Sequence, residues 1–334
     1  MEEIARQLAK KAGINGQLFL ESVNDGFNNR GFRLYNDTSS YFLKSYFKHE
    51  NDLRDRLGAE FAFSTFVWNQ GIRVIPMPIL CDREHSIGIY EFVQGRKIVF
   101  HEINDIYISQ VLQFYSQINQ NKQSHPAKDL AIASEACFSI HEHLKCIEKR
   151  VQKLVKIDNM ETIDVEAQDF IKNKIYPTWQ QIYQATIDQA KKLNIEIYQR
   201  INELDQIISP SDFGFHNTLL EKNGKLRFID FEYAGWDDPA KLVCDFFCQL
   251  AIPVPLRYLP MFIEQISINS KIPDLMEKRI KLLLPVYRVK WCCIILNDFL
   301  DVHSQRRHFA SNKTSIQRKS KQLEKSKVYF NQFL

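Results

Sequence analysis

The chain has 334 residues, 45% of them hydrophobic and 25% charged, and a formal net charge of +4. That length accommodates two sizeable cores, the composition is ordinary for a globular protein, and so small a charge gives no argument for nucleic acid as a partner. Seven cysteines without an even framework of spacings, two of them adjacent at Cys292-Cys293, fit reduced thiols in a cytoplasmic protein and predict no disulfide. In chain order, Met1 to Gln7 carries early acids and no apolar core, so it opens a short helix and not a secretory signal. Strand patterns follow at Leu18–Val23, Phe32–Tyr35 and Tyr41–Phe47, the first two joined by a glycine-bearing loop over 24–31. Asp55–Phe66 has helical spacing, with Phe63 and Phe66 on the inward face. The strand pattern ends near Tyr90-Glu91-Phe92-Val93, which divides the chain into 1–93 and 94–334. Beyond it, helices are predicted over 103–119, 129–153, 164–203, 257–269, 275–302 and 312–332. The apolar stretch Leu282–Leu300 is interrupted by Arg288, Lys290, Asn297 and Asp298, so it reads as a buried helix and not a membrane span.

Between the helical stretches lies HNTLLEKNGKLRFIDFEYAG, in which two strand-like runs flank Asn223-Gly224. Asn-Gly is the pair preferred by a two-residue type I′ hairpin turn. Counting outward from it pairs Lys222 with Lys225, Leu220 with Arg227, Thr218 with Ile229 and Asn217 with Asp230. An amide oxygen and a carboxylate side by side are hard oxygen donors suited to Mg²⁺, which takes few protein ligands and leaves room for phosphate. Asp212, five residues before Asn217, adds a carboxylate at the same end, where it could accept a hydroxyl proton. An ordinary surface hairpin whose end residues satisfy turn hydrogen bonds explains the isolated pattern as well.

The combination D-x4-N followed by I-D-F-E resembles the kinase arrangement of a catalytic-loop Asp and Asn ahead of a metal-binding Asp. Ser209-Pro210-Ser211-Asp212-Phe213-Gly214-Phe215-His216-Asn217, then Ile229-Asp230-Phe231-Glu232-Tyr233-Ala234-Gly235, then Asp238-Pro239-Ala240 and Asp245 resemble the aminoglycoside phosphotransferase and choline kinase family. The resemblance implies an α+β, two-lobed, protein-kinase-like fold: a small β-rich amino-terminal lobe for nucleotide and a larger, mostly helical carboxy-terminal lobe for catalysis and substrate. It further implies transfer of the γ-phosphoryl group of ATP, with Mg²⁺, to a hydroxyl of a small molecule such as an amino alcohol, sugar or polyol. Asp212 would be the base, and Asn217 and Asp230 the metal ligands. Gly26, Asn28 and Asn29 of the glycine-bearing loop would approach the phosphates, Lys44 would meet the α/β-phosphates, and Glu60 would orient Lys44. Backbone groups around Glu91 and Val93 would meet the adenine edge, and Asp245 would brace the catalytic loop.

Other readings of the same residues stay open. The loop over 24–31 also fits a plain hairpin connection, and Lys44 a solvated strand position. Glu232, Tyr233, Trp236, Asp237 and Asp238 follow the metal aspartate closely; aromatics beside acids suit a cationic substrate, or Trp236 packs in the core and the acids cap a helix. Pro210-Ser211 stands where the family has His-Gly, and His216 is a candidate to compensate for the missing histidine side chain. A nucleotide-binding pseudokinase is the alternative to an active enzyme, although it would not need the complete set of charged residues. Cys137, His141, His143 and Cys146 suggest zinc only at first sight, because His143 points away from the face shared by Cys137 and His141 on a helix. Arg306–Lys327 holds eight Lys or Arg and only Glu324 as an acid, which suits a solvated terminal helix better than a nucleic-acid or membrane surface.

Overall fold

The structure, a computed structural model, describes all residues except 24–28, 51, 53, 159–160, 269 and 301–313. By contact the chain forms two compact units. The first contains Met1–Ser134 and Phe215–Gly235; the second contains Glu135–Gly214, Trp236–Ser304 and Lys313–Leu334. This partition by packing is not the sequence division at 93/94, which was read from where the strand pattern ends.

The first unit opens with α1 (Glu2–Lys11), which has acids in its first turn and lysines in its last, complementing the helix dipole. Its buried Ala5, Leu8 and Ala9 pack on Leu34, Leu43, Ile87 and Ile89 of an antiparallel sheet. The sheet comprises β1 (Phe19–Val23), β2 (Arg30–Tyr35), β3 (Ser40–Ser45), β4 (Pro78–Asp82) and β5 (Ile87–Glu91), in the order β1-β2-β3-β5-β4. Between β3 and β4 runs α2 (Arg56–Asn69), capped by Asp55, whose side chain accepts the Gly58 N–H at 2.9 Å. Its buried stripe is Arg56, Leu57, Glu60, Phe63, Ser64 and Val67, the spacing of a helix face, with Arg56 and Glu60 its charged members. After β5 come the short β6 (Arg96–Lys97), α3 (Asp105–Gln120) and the one-turn α4 (His125–Lys128).

The second unit runs through α5 (Ile140–Val155), α6 (Thr162–Phe170), α7 (Tyr176–Lys192) and β7 (Ile207–Ser209). The chain then re-enters the first unit with the hairpin β8 (Thr218–Leu220) and β9 (Leu226–Phe228), where β6 pairs with β8. Phe228 stacks on Phe114 of α3 at 4.5 Å between ring centroids. The short β10 (Gly235–Asp237) pairs with β7 and leads into α8 (Pro239–Cys248), α9 (Leu259–Ser267), α10 (Pro273–Ile295) and α11 (Ser315–Phe333). Helix α10 is the core of this unit: Ile280, Leu283, Val286, Tyr287, Val289, Cys292 and Cys293 are all buried, and it packs on α5, α7, α8, α9 and α11. Among the described residues no helix is long and apolar enough to cross a membrane.

Three expectations need correction. The hairpin register is one residue off: Thr218 pairs with Phe228, Leu219 with Arg227 and Leu220 with Leu226, and the Ile229 N–H donates to the Asn217 carbonyl. The Gly224 N–H closes the turn on the Glu221 carbonyl, and of the two turn residues only Gly224 is left-handed, at φ 81°. This is a longer turn ending in a left-handed glycine, and it adds one residue to the loop. The predicted helix 129–153 begins only after its cap Ser139, because Glu135 is left-handed at φ 56°. The predicted helix 164–203 stops at Lys192, ahead of Asn194 at φ 54°, and passes through a π-turn at Ile171–Ile175 just before Pro177. Proline has no N–H for the regular helix ladder, and the wider turn accommodates the missing bond. Of the basic stretch expected to form a terminal helix, 306–313 lies outside the described residues; the remainder is in α11.

Candidate active site

The charged centre of the first unit is Lys44, on β3. Antiparallel pairing sets it opposite Gly88 of β5. Glycine leaves room there for the Tyr90 ring, which a Cβ at 88 would strike. The hydroxyl of Tyr90 thereby meets that of Tyr46 at 2.8 Å, and Tyr46 donates to Glu60 Oε2 at 2.7 Å. Lys44 Nζ lies 2.6 Å from the same Glu60 oxygen and 2.5 Å from Asp230 Oδ1. The other oxygen of Glu60 accepts the Phe231 N–H at 3.2 Å, so α2 is joined both to β3 and to the segment after β9. Phe63 of α2 packs on Phe231 at 4.8 Å between centroids, which holds that segment from the apolar side.

The electrostatics follow from burial. Lys44 is 6% exposed and Glu60 5%. Burial works against the Lys44 charge, but the Asp230 and Glu60 carboxylates outweigh it and hold the pKa well above the ordinary lysine value. Burial raises the Glu60 pKa against the pull of Lys44, and the nearby Asp230 charge adds to the rise. Asp230 has a left-handed backbone, at φ 69°, and a side chain 37% exposed. Because Lys44 bonds its Oδ1, the second carboxylate oxygen is clear of that ion pair.

Glu232, two residues on, is buried and accepts the Asn29 side-chain N–H at 2.5 Å; Asn29 in turn accepts the Phe47 N–H at 3.2 Å. Arg56 Nε is 4.0 Å from Glu232 Oε2, while Arg56 also pairs with Asp52. Glu232 Oε1 has no hydrogen-bond partner among the described residues. The Asp230 carboxylate, partly exposed and with one oxygen outside the Lys44 ion pair, is a hard-oxygen donor of the kind that suits a divalent cation such as Mg²⁺. Lys44 is surrounded by three carboxylates, those of Asp230, Glu60 and Glu232. That excess of negative charge favours a cation ahead of any phosphate.

The remaining expected positions divide between the units. Gly26 and Asn28 lie outside the described residues. The Glu91 carboxylate receives Arg227 at 2.8 Å and the Met77 N–H at 3.1 Å, and the Glu91 N–H donates to the Met77 carbonyl at 2.9 Å. Its side chain thus ties the end of β5 to β9, and Val93 is partly exposed just beyond it. Asp212 belongs to the second unit, in the loop after β7. Trp236 is half-buried, and Asp237 is fully buried, 2.6 Å from Lys241 Nζ, so it sits inside the unit and not on a ligand-facing surface. Asp238 caps α8 through the Ala240 N–H at 2.7 Å and receives Arg279, as the capping alternative for these acids anticipates. Sequence reasoning missed the Tyr46 and Tyr90 hydroxyls. The one available signal was that Tyr46 lies two residues after Lys44, on the same strand face. His143, part of the briefly considered zinc cluster, is buried between Tyr287 at 2.8 Å and Asp238 at 3.2 Å.

No protein-family profile matches the sequence, and no curated protein matches it. Solved structures do. The architecture is the kinase-like α+β fold of aminoglycoside phosphotransferases and choline and ethanolamine kinases. The chain is similar to a Plasmodium vivax ethanolamine kinase, with TM-score 0.58 and 15% identity over 95% of this chain and 84% of that one. It is similar to a spectinomycin phosphotransferase solved with ADP and spectinomycin, with TM-score 0.61 and 14% identity over 99% and 93%. The choline kinase LicA of Streptococcus pneumoniae is a further neighbour, with TM-score 0.57 and 13% identity over 99% and 100%.

Proposed function

We propose that the protein is an ATP-dependent phosphotransferase that moves the γ-phosphoryl group to a hydroxyl of a small molecule, an amino alcohol, sugar or polyol. The observation that carries this reading is Lys44, buried yet charged, held by Glu60 at 2.6 Å and Asp230 at 2.5 Å. A buried lysine fixed by a helix glutamate beside a metal-binding aspartate is what phosphoryl transfer requires, since catalysis there is positioning and charge neutralisation. In this reading Lys44 meets the α/β-phosphates, Glu60 fixes Lys44, and Asn217 and Asp230 hold Mg²⁺, which neutralises charge on the β- and γ-phosphates when bound. The loop containing Gly26, Asn28 and Asn29 covers the phosphates. The Glu91 N–H is already engaged, so the donor to the adenine edge comes from Val93. Asp212 accepts the proton of the acceptor hydroxyl, Glu232 and Trp236 face the acceptor side, and residues 1–93 and 94–334 serve nucleotide binding and catalysis respectively.

The test is ADP release by the full chain across a library of hydroxyl compounds, with Mg-ATP binding measured separately. General-base positioning contributes about 10²–10⁴-fold. Asp212→Asn is expected to lower transfer by that range with Mg-ATP binding near wild type, whereas Asp230→Ala impairs Mg-ATP binding itself. A wild-type chain that binds Mg-ATP yet neither phosphorylates any acceptor nor hydrolyses ATP would be a nucleotide-binding scaffold.

A further inference from the structure

We propose that Lys241 positions the Asp212 loop through the hydroxyl of Ser211, a role that rests on the reading of Asp212 as the base. Pro210 has no N–H with which the loop could be tied. Ser211, between it and Asp212, has φ 66°, a region uncommon for residues other than glycine, which persists only where the surroundings impose it. Two bonds impose it here. The Ser211 N–H donates to Ser209 Oγ at 2.9 Å, and Lys241 Nζ donates to Ser211 Oγ at 3.0 Å.

Lys241 is itself fixed. It lies in the first turn of α8 and is 1% exposed. Its ammonium is 2.6 Å from Asp237 Oδ2 and 3.6 Å from Asp245 Oδ2. Asp245 is held in turn by Lys290, at 2.8 and 2.9 Å, and by Trp291 Nε1 at 2.8 Å. An ammonium has three donors and no acceptor. Hydrogen bonds to the Asp237 carboxylate and to one hydroxyl, with Asp245 attracting the charge from beyond hydrogen-bond reach, therefore fix its direction, and the hydroxyl belongs to the residue next to Asp212. Burial opposes the Lys241 charge, but Asp237 and Asp245 outweigh it and keep the ammonium protonated. Buried ion pairs are a weak source of stability because desolvation offsets the attraction. What this one provides is direction, and the Asp245 support expected for the loop is delivered through Lys241.

The test uses the full chain carrying Lys241→Met or Ser211→Ala, each also combined with Asp212→Asn. Three measurements are made: steady-state kinetics by ADP release, giving kcat and KM for Mg-ATP, backbone hydrogen exchange of residues 207–215, and thermal unfolding. Misplacing a reacting group by about 1 Å costs about 10²-fold, so each single variant is expected to lower kcat about 10- to 100-fold with KM for Mg-ATP within about twofold. Exchange over 209–214 should quicken in both. The combined Lys241→Met and Ser211→Ala variant should be no slower than Lys241→Met alone, and neither change should slow Asp212→Asn further. Wild-type kcat in Ser211→Ala, or an undiminished further loss on top of Asp212→Asn, overturns the proposal. If Lys241→Met fails to fold because Asp237 is left unpaired, Ser211→Ala, which keeps every charge, decides alone. A wild-type chain without turnover overturns the phosphotransfer reading instead; unchanged exchange over 209–214 then overturns the anchor on its own.

Discussion

Lys44 concentrates the chemistry of the first unit into a single side chain, and its two partners have separable roles. Asp230 belongs to the proposed metal site, whereas Glu60 holds the ammonium in place and also accepts the Tyr46 hydroxyl and the Phe231 N–H. Lys44→Ala is therefore expected to raise the KM for Mg-ATP and lower turnover by about 10²-fold or more, and Glu60→Gln to do the same more mildly, since the amide still receives Lys44 and Tyr46. Steady-state kinetics at varied Mg-ATP checks the order, and wild-type kinetics in Lys44→Ala would refute the nucleotide assignment. In the second unit, Asp238 gives a pH-dependent prediction. Burial would raise its pKa, but Arg279 and the His143 and Ala240 bonds outweigh it and depress the value from 3.8 to about 2. A depressed carboxylate contributes stability that is present above its unfolded pKa and lost as pH falls through the folded one. Urea unfolding should therefore show stability falling between about pH 4 and pH 2. Asp238→Asn should be less stable at pH 7, where Arg279 loses its partner, and shallower across that acid window.

At the scale of elements, glycines decide where two turns go. Gly235 opens β10 at φ 156°, and a Cβ there would run into the Ala131 carbonyl oxygen and the Ala133 nitrogen, both backbone atoms that cannot swing aside. Gly235→Ala is expected to destabilise the protein by about 3 kcal/mol or more, combining overpacking with an unfavourable φ. Gly224, at φ 81° but with nothing near its Cβ position, should tolerate alanine at about 1 kcal/mol. Chemical denaturation of the two variants checks the difference, and equal losses would mean that the close approach at Gly235 is relieved elsewhere. The same turn shows why pattern reading missed the register. Asn223-Gly224 suits both a two-residue loop and a longer one closed by a left-handed glycine, and the strand residues Leu219, Leu220, Leu226 and Phe228 leave a one-residue slip undecided. What selects the observed pairing lies outside the hairpin: Gln110 of α3 bonds the Leu226 N–H at 2.8 Å and the Gly224 carbonyl at 3.1 Å.

For the molecule as a whole, a ligand that binds only the folded chain stabilises it by mass action, by about 2.7 kcal/mol at a hundredfold excess over Kd. Mg-ATP is accordingly expected to raise the melting temperature by several degrees. EDTA or Asp230→Ala should remove most of that rise, because the excess of carboxylates around Lys44 needs the cation before the phosphates can approach. A thermal shift that survives both would place the nucleotide elsewhere. Scanning calorimetry adds a second reading, since the two compact units need not unfold in one transition.

The elements that carry Lys44 and Glu60 were legible from the sequence alone, because each depends on local pattern. Alternation places Lys44 on a strand, helical spacing places Glu60 on a helix, and D-x4-N followed by I-D-F-E carries the resemblance to small-molecule kinases. The same local rules placed strand patterns early and helical patterns later, whereas the α+β architecture was what the family resemblance implied. Tertiary structure alone decided which polar groups meet. Tyr46 and Tyr90 reach one another only because β3 lies beside β5 with Gly88 opposite Lys44. Lys241 reaches Ser211 from thirty positions along the chain only because α8 packs beside the loop after β7. Buried polar partners of that kind are chosen by the cost of leaving a charge or hydroxyl unsatisfied. That cost depends on which surfaces the packed chain removes from water, and no local pattern records it.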